Sequence, residues 1–162
     1  MRYAKQLLSV TAVTLVAACT DNGIFNPRND AAGTYQITVY AGRSIPATFT
    51  IQPGDPDFPT YPNGGTFVVT DGQLVLDNNG TFDETNVYVI TPPGGPADSY
   101  TFVRTGTWTL NGTDLTLSIP AQNGNPSRVV YGTLTISANN RYTVNYQEDS
   151  GGGNFESYEY QR

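Results

Sequence analysis

The residues able to do chemistry are few, and their types restrict what chemistry is open. The chain of 162 residues contains no histidine and a single cysteine, Cys19. Without imidazole there is no His-activated serine or cysteine nucleophile, and most zinc sites lose a ligand. Carboxylates remain as Asp83-Glu84, Glu148-Asp149, and Glu156 with Glu159. General acid/base work needs two carboxyl groups facing one substrate, whereas neighbours on a strand point to opposite faces. These groups therefore read as solvated surface charge, and the chain is expected not to be an enzyme, with no catalytic residue and no cofactor. Asp77 to Glu84 collects oxygen ligands as a calcium loop would, yet Phe82 stands at the sixth position, where an EF-hand needs glycine, and the distal acid is missing. A hairpin turn accounts for the same residues, and no metal site is expected.

Aromatic side chains are the class left to carry a function. Phe58 and Tyr61 lie in a proline-rich loop where no strand core requires them, so they are candidates to gate a mouth or meet a partner. Trp108, Tyr142 and Tyr146 alternate with polar residues in strand-like runs and could face a ligand or fill a core. These five are the candidate ligand or rim contacts. Tyr158 and Tyr160, near the end, are placed at a rim.

At the start of the chain, Arg2 and Lys5 precede an apolar run from Leu7 to Ala18 that is too short for a permanent membrane helix and has the proportions of a secretory signal. Val16-Ala17-Ala18-Cys19 resembles the lipobox of bacterial lipoproteins. That resemblance implies cleavage before Cys19 and acylation of its thiol. Residues 1–18 then form the signal peptide, residues 19–32 a lipidated tether and residues 33–162 one domain. The expected location is the cell envelope, and Thr20 after the cysteine, rather than Asp, resembles sorting to the outer membrane. Cleavage would remove Arg2 and Lys5 and no acid, leaving six basic residues against fourteen acidic, a net −8. The remaining cations are scattered arginines, so binding to nucleic acid is not expected.

The elements that must position these residues read as β almost throughout. In Gly106 to Ile119, Trp108 and Leu110 alternate with threonines on one arm, and Leu115, Leu117 and Ile119 alternate with Thr116 and Ser118 on the other. Asn111-Gly112 between them suits the positive φ of a tight turn. Similar hairpins are written around Tyr35 to Ile51, Phe67 to Ile90 and Val129 to Tyr146, with a further strand over Phe155 to Tyr160. Gly-x-apolar-x-apolar recurs at Gly72, Gly106 and Gly132. Pro53 to Gly65, with four prolines and three glycines, reads as a long surface loop. The pattern predicts an all-β domain of about eight to nine antiparallel strands, closed as an up-and-down barrel or, alternatively, packed as a β-sandwich.

Gly33-Thr34-Tyr35, Ser44-Ile45-Pro46-Ala47-Thr48, Gly72 to Phe82 and Gly106-Thr107-Trp108-Thr109-Leu110 resemble the small lipocalin-like domains of bacterial lipoproteins. The resemblance spans about residues 33–162. It implies a calycin-type barrel and a small apolar ligand in its lumen. The expectation is thus a lipid-anchored envelope lipoprotein that binds a small apolar molecule or lipid. The alternative is a packed barrel serving as a structural or protein-interaction module at the membrane surface, and the state of the lumen separates the two.

Overall fold

The computed structural model describes residues 27–122, 124–151 and 154–162. The stretch read as a signal peptide, Cys19 and most of the stretch read as a tether lie outside the described residues. One helical turn, α1 (Pro27–Ala31), precedes ten strands: β1 (Gly33–Tyr40), β2 (Arg43–Ser44), β3 (Ala47–Ile51), β4 (Gly65–Leu76), β5 (Thr81–Thr91), β6 (Asp98–Asn111), β7 (Asp114–Ile119), β8 (Arg128–Ile136), β9 (Tyr142–Gly151) and β10 (Asn154–Gln161). From β4 to β10 each strand pairs antiparallel with the next, and β1 pairs with both β10 and β4. The ring is therefore a closed eight-strand barrel, consistent with a calycin-like barrel, and the sandwich alternative is set aside. Two strands stand outside it: β2 pairs with the end of β1, and β3 pairs with the first half of β4.

Closure depends on a division of labour along β4. Its second half, Gln73 to Leu76, pairs with Gly33 to Gln36, while its first half, Gly65 to Val69, pairs with β3. The halves are separated by a bulge between Val69 and Asp71. Gly72 follows the bulge because a Cβ there would lie 2.2 Å from Asn86 Oδ1. A bulge increases local twist and re-aims the strand, which lets one strand serve two partners.

An eight-strand ring leaves an interior just wide enough for side chains, and here three tiers occupy it. At the end that carries α1, Trp108, Phe82, Leu76, Leu115, Leu117, Leu134 and Val144 form an apolar tier. Trp108 is 1 % exposed, as its alternation with Leu110 predicts, and its indole N–H donates to Asp77 O at 2.9 Å. Burying each such side chain stabilises the fold by roughly 1.5–3 kcal/mol. The end is closed by α1, whose Ala31 is buried and accepts a hydrogen bond from the Tyr35 hydroxyl at 2.5 Å. Arg162 lies over the rings of Tyr142 and Tyr35, 4.0 and 5.3 Å from their centroids, and donates to the carbonyls of Asp30 and Ala32. So Asp30 to Ala32, read from sequence as part of the tether, are held against the barrel.

At the opposite end, Tyr40 meets Phe49, Phe67, Tyr88 and Tyr158 edge to face, with centroids 5.2 to 6.5 Å apart. The middle tier is polar.

Candidate functional site

The middle tier follows from the same parity that buries Trp108. On β5 the inward positions are Phe82, Glu84 and Asn86, and on β6 they include Arg104, which is paired directly across from Glu84. Tyr146 and Glu148 come from β9, and Tyr160 from β10. Arg104 and Glu84 are 2 % and 0 % exposed, and Glu148 is 8 % exposed. For Glu84 and Glu148 this corrects the expectation of solvated surface charge. Alternation does hold for Asp83 and Glu84, which face opposite ways, Asp83 exposed and Glu84 buried. The inward face, however, is the buried lumen of a closed barrel.

Arg104 organises the cluster. Its Nε donates to Glu84 Oε2 at 2.5 Å, Nη1 to Glu148 Oε2, and Nη2 to the Tyr146 hydroxyl at 2.6 Å. Glu84 Oε1 accepts from Tyr146 at 2.5 Å, Tyr160 at 2.6 Å and Asn86 Nδ2 at 2.8 Å. Glu148 Oε1 faces Arg128 Nη2 at 2.6 Å, where β8 approaches the far part of β9. Two carboxylates thus meet two guanidinium groups, and a third carboxylate, Glu156, stands across from Glu148 on β10 and accepts from the Tyr158 hydroxyl at 2.8 Å.

Arg104, Tyr146 and Tyr160 are each held in one protonation state. Burial works against the charge of Arg104, but the neighbouring Tyr146, Glu84 and Glu148 outweigh it and hold its pKa above the ordinary arginine value. Burial first, and the charge of Glu84 second, hold the Tyr146 and Tyr160 hydroxyls well above the ordinary tyrosine value. The tyrosines remain donors and the arginine remains a cation. Tyr146, Tyr158 and Tyr160 are also stacked, with centroids 4.7 to 6.5 Å apart and planes within 19°. Tyr158 and Tyr160, placed at a rim from sequence, are buried in the barrel. Chemically the tier cross-links β5, β6, β9 and β10.

The five candidate contact residues are spread over the barrel and do not converge on one site. Trp108 and Tyr142 belong to the apolar end, and Tyr146 to the polar middle. Phe58 packs on Phe67 with centroids 5.6 Å apart, which ties the long loop to the aromatic end. Tyr61 stays outside, its hydroxyl 2.5 Å from that of Tyr100 and 3.4 Å from Asp98 Oδ2. Cys19, the residue expected to be lipidated, lies outside the described residues. The oxygen-rich turn at Asp77 uses its side chains on itself: Asn79 Oδ1 accepts from the Thr81 hydroxyl at 2.7 Å and from its backbone N–H at 2.8 Å.

Two hollows of ligand size lie on the outer wall. The larger, about 800 Å³, lies over Gly106, beside the outward side chains of Thr81, Thr107, Ser118 and Val129. The second, about 420 Å³, lies over Gly132. Both positions exclude a side chain, because a Cβ would fall 2.2 Å from Ser118 O at Gly106 and 2.3 Å from Asn145 O at Gly132. These are two of the three glycines of the recurring Gly-x-apolar-x-apolar pattern, so that pattern marks where strands press closely together. Among the described residues, no helix is long and apolar enough to cross a membrane. Comparison of the chain with protein-family models and with curated proteins finds no match.

Proposed function

We propose that this protein is a lipid-anchored envelope lipoprotein whose barrel is packed and acts as a structural or interaction module at the membrane surface, without catalysis. One observation carries the choice over a lumenal lipid carrier: the middle of the lumen is occupied by Arg104, Glu84, Asn86, Tyr146 and Tyr160, bonded to one another. An alkyl chain passing that level would have to separate a buried ion pair and leave carboxylates without partners, at a cost of several kcal/mol. Above and below that level the aromatic and apolar side chains pack on each other. The reading of the N-terminus supports the anchor, since Cys19 follows Val16-Ala17-Ala18.

Trp108 emission under titration with a panel of fatty acids and lipophilic dyes tests the lumen. The packed reading expects no saturable change and no co-purified adduct in native mass spectrometry. A saturable change, or a stoichiometric lipid adduct, would restore the carrier reading. For the anchor, Cys19→Ser should move the exported protein from the membrane to the soluble fraction, because one lipidated residue supplies the membrane affinity. Unchanged membrane association refutes the anchor and leaves the barrel reading untouched.

A further inference from the structure

The hollow over Gly132 is bordered by a cross-strand row of outward residues. Thr133 on β8 is paired with Asn145 on β9, Asn145 with Glu159 on β10, and Glu159 with Val39 on β1. Tyr131 and Gln147 flank that row. Tyr131 is 72 % exposed, the most exposed of the large hydrophobic side chains described. Its neighbours Thr133, Asn145 and Gln147 make no side-chain hydrogen bond among the described residues, so donors and acceptors stand ready beside an open aromatic ring.

We propose that this hollow binds a neutral saccharide, with a pyranose ring on Tyr131 and its hydroxyls on Asn145, Gln147 and Thr133. Charge narrows the choice. No lysine or arginine lines the hollow, and the one ionisable acid is Glu159, whose Oε1 accepts from Thr38 Oγ1 at 3.1 Å and from Gln161 Nε2 at 2.7 Å. A phosphate or carboxylate ligand would meet a negative group with no cation to offset it. A protein hot spot needs a desolvated apolar pocket around its anchor, whereas here one tyrosine is surrounded by amides and hydroxyls. A sugar presents a C–H face and a ring of hydroxyls, each both donor and acceptor. Tyrosine offers a large apolar face with a polar tip, and amides supply donor and acceptor together. Gly132 contributes from the inward side: with no Cβ against Tyr146, β8 can press closely on β9 beneath the hollow.

The proposal rests on the reading of the barrel as a surface interaction module, and the two fail separately, since Trp108 reports the lumen and Tyr131 the hollow. The test is amide chemical-shift mapping of the exported chain in a detergent without a sugar headgroup, titrated with cellohexaose and, separately, chitohexaose. Saturable shifts centred on Tyr131, Thr133, Asn145 and Gln147 with at least one of the two sugars are expected. Tyr131→Ala should weaken that binding by about tenfold, and Tyr131→Phe should retain it. Tyr131 is exposed, so both variants should fold, and unchanged amide spectra away from the hollow verify this. Absence of saturable shifts with both sugars overturns the proposal. So do shifts centred on the Trp108 indole or on the hollow over Gly106, or equal binding by Tyr131→Ala.

Discussion

The apolar tier around Trp108 and the polar tier around Arg104 sit in the same barrel, on the same strands, two inward positions apart on β6. Trp108 and Leu117 are cross-strand partners, and so are Arg104 and Glu84. In the first tier contact is non-directional, so a side chain of nearly the right size contributes most of what the native one does. In the second tier each group has been taken out of water and depends on named partners. The difference teaches that inward parity decides burial, whereas stability at an inward position depends on whether the residue needs its neighbours to be polar.

That comparison can be broken by removing one group from each tier. Arg104→Ala leaves Glu84 buried without its cation and Glu148 with Arg128 alone, and unfolding in urea should show a loss of about 3–5 kcal/mol. Adding Glu84→Gln to that variant should recover part of the loss, because one uncompensated charge is then gone. If Arg104→Ala costs no more than an exposed substitution, the tier does not hold the barrel together. Leu117→Ala, fully buried beside Trp108, should cost about 2–4 kcal/mol by transfer and cavity terms, with no partner able to restore it except added volume.

Alkaline titration sharpens the contrast. Tyr146 and Tyr160 have folded pKa values well above the ordinary 10.0, and burial pushes Tyr35 up to about 12 against the opposing charge of Arg162. As pH rises through the ordinary tyrosine value, the unfolded chain releases these protons first. Their stabilising contribution is therefore complete below about pH 10 and declines above it. Tyrosinate absorbance should rise in two phases, exposed tyrosines first, with the second phase coincident with loss of Trp108 burial. A single phase centred near the ordinary value would show that the tyrosines are accessible.

The smallest effect concerns the turn that joins the two arms under Trp108. Gly112 has φ of 62° and open space where a Cβ would be. Gly112→Val should thus cost about 1–2 kcal/mol from backbone strain alone. An unchanged urea midpoint would mean that the turn adopts another conformation in solution.

How far each tier was legible follows from how it is written. Alternating Trp108, Leu110, Leu115 and Leu117 around Asn111-Gly112 announces a buried apolar face, because hydrophobic side chains at period two have only one place to go. Glu84 and Arg104 keep the same period, two residues after Phe82 and four before Trp108, yet a charged residue in a strand ordinarily faces water. The parity signal was present and residue type argued against it. Tyr158 and Tyr160 were misplaced for a related reason: position near the end of a chain suggests a rim, and only the pairing of β10 with both β1 and β9 carries them inside.

Local chemistry alone determined the β class, the turns, the long loop before Gly65 and the buried face of the Gly106 to Ile119 hairpin. These depend on residues close together in sequence, where alternation and positive-φ tolerance act directly. Tertiary structure decided that the sheet closes through Gly33 to Gln36 on Gln73 to Leu76, with β2 and β3 left outside. It also decided that Arg104 meets two carboxylates 20 and 44 residues away, and that Gly106 and Gly132 dent the outer wall. Closure is set by registers summed around the whole ring, and a buried ion pair exists only once that sum brings opposite charges to one height in a space that excludes water.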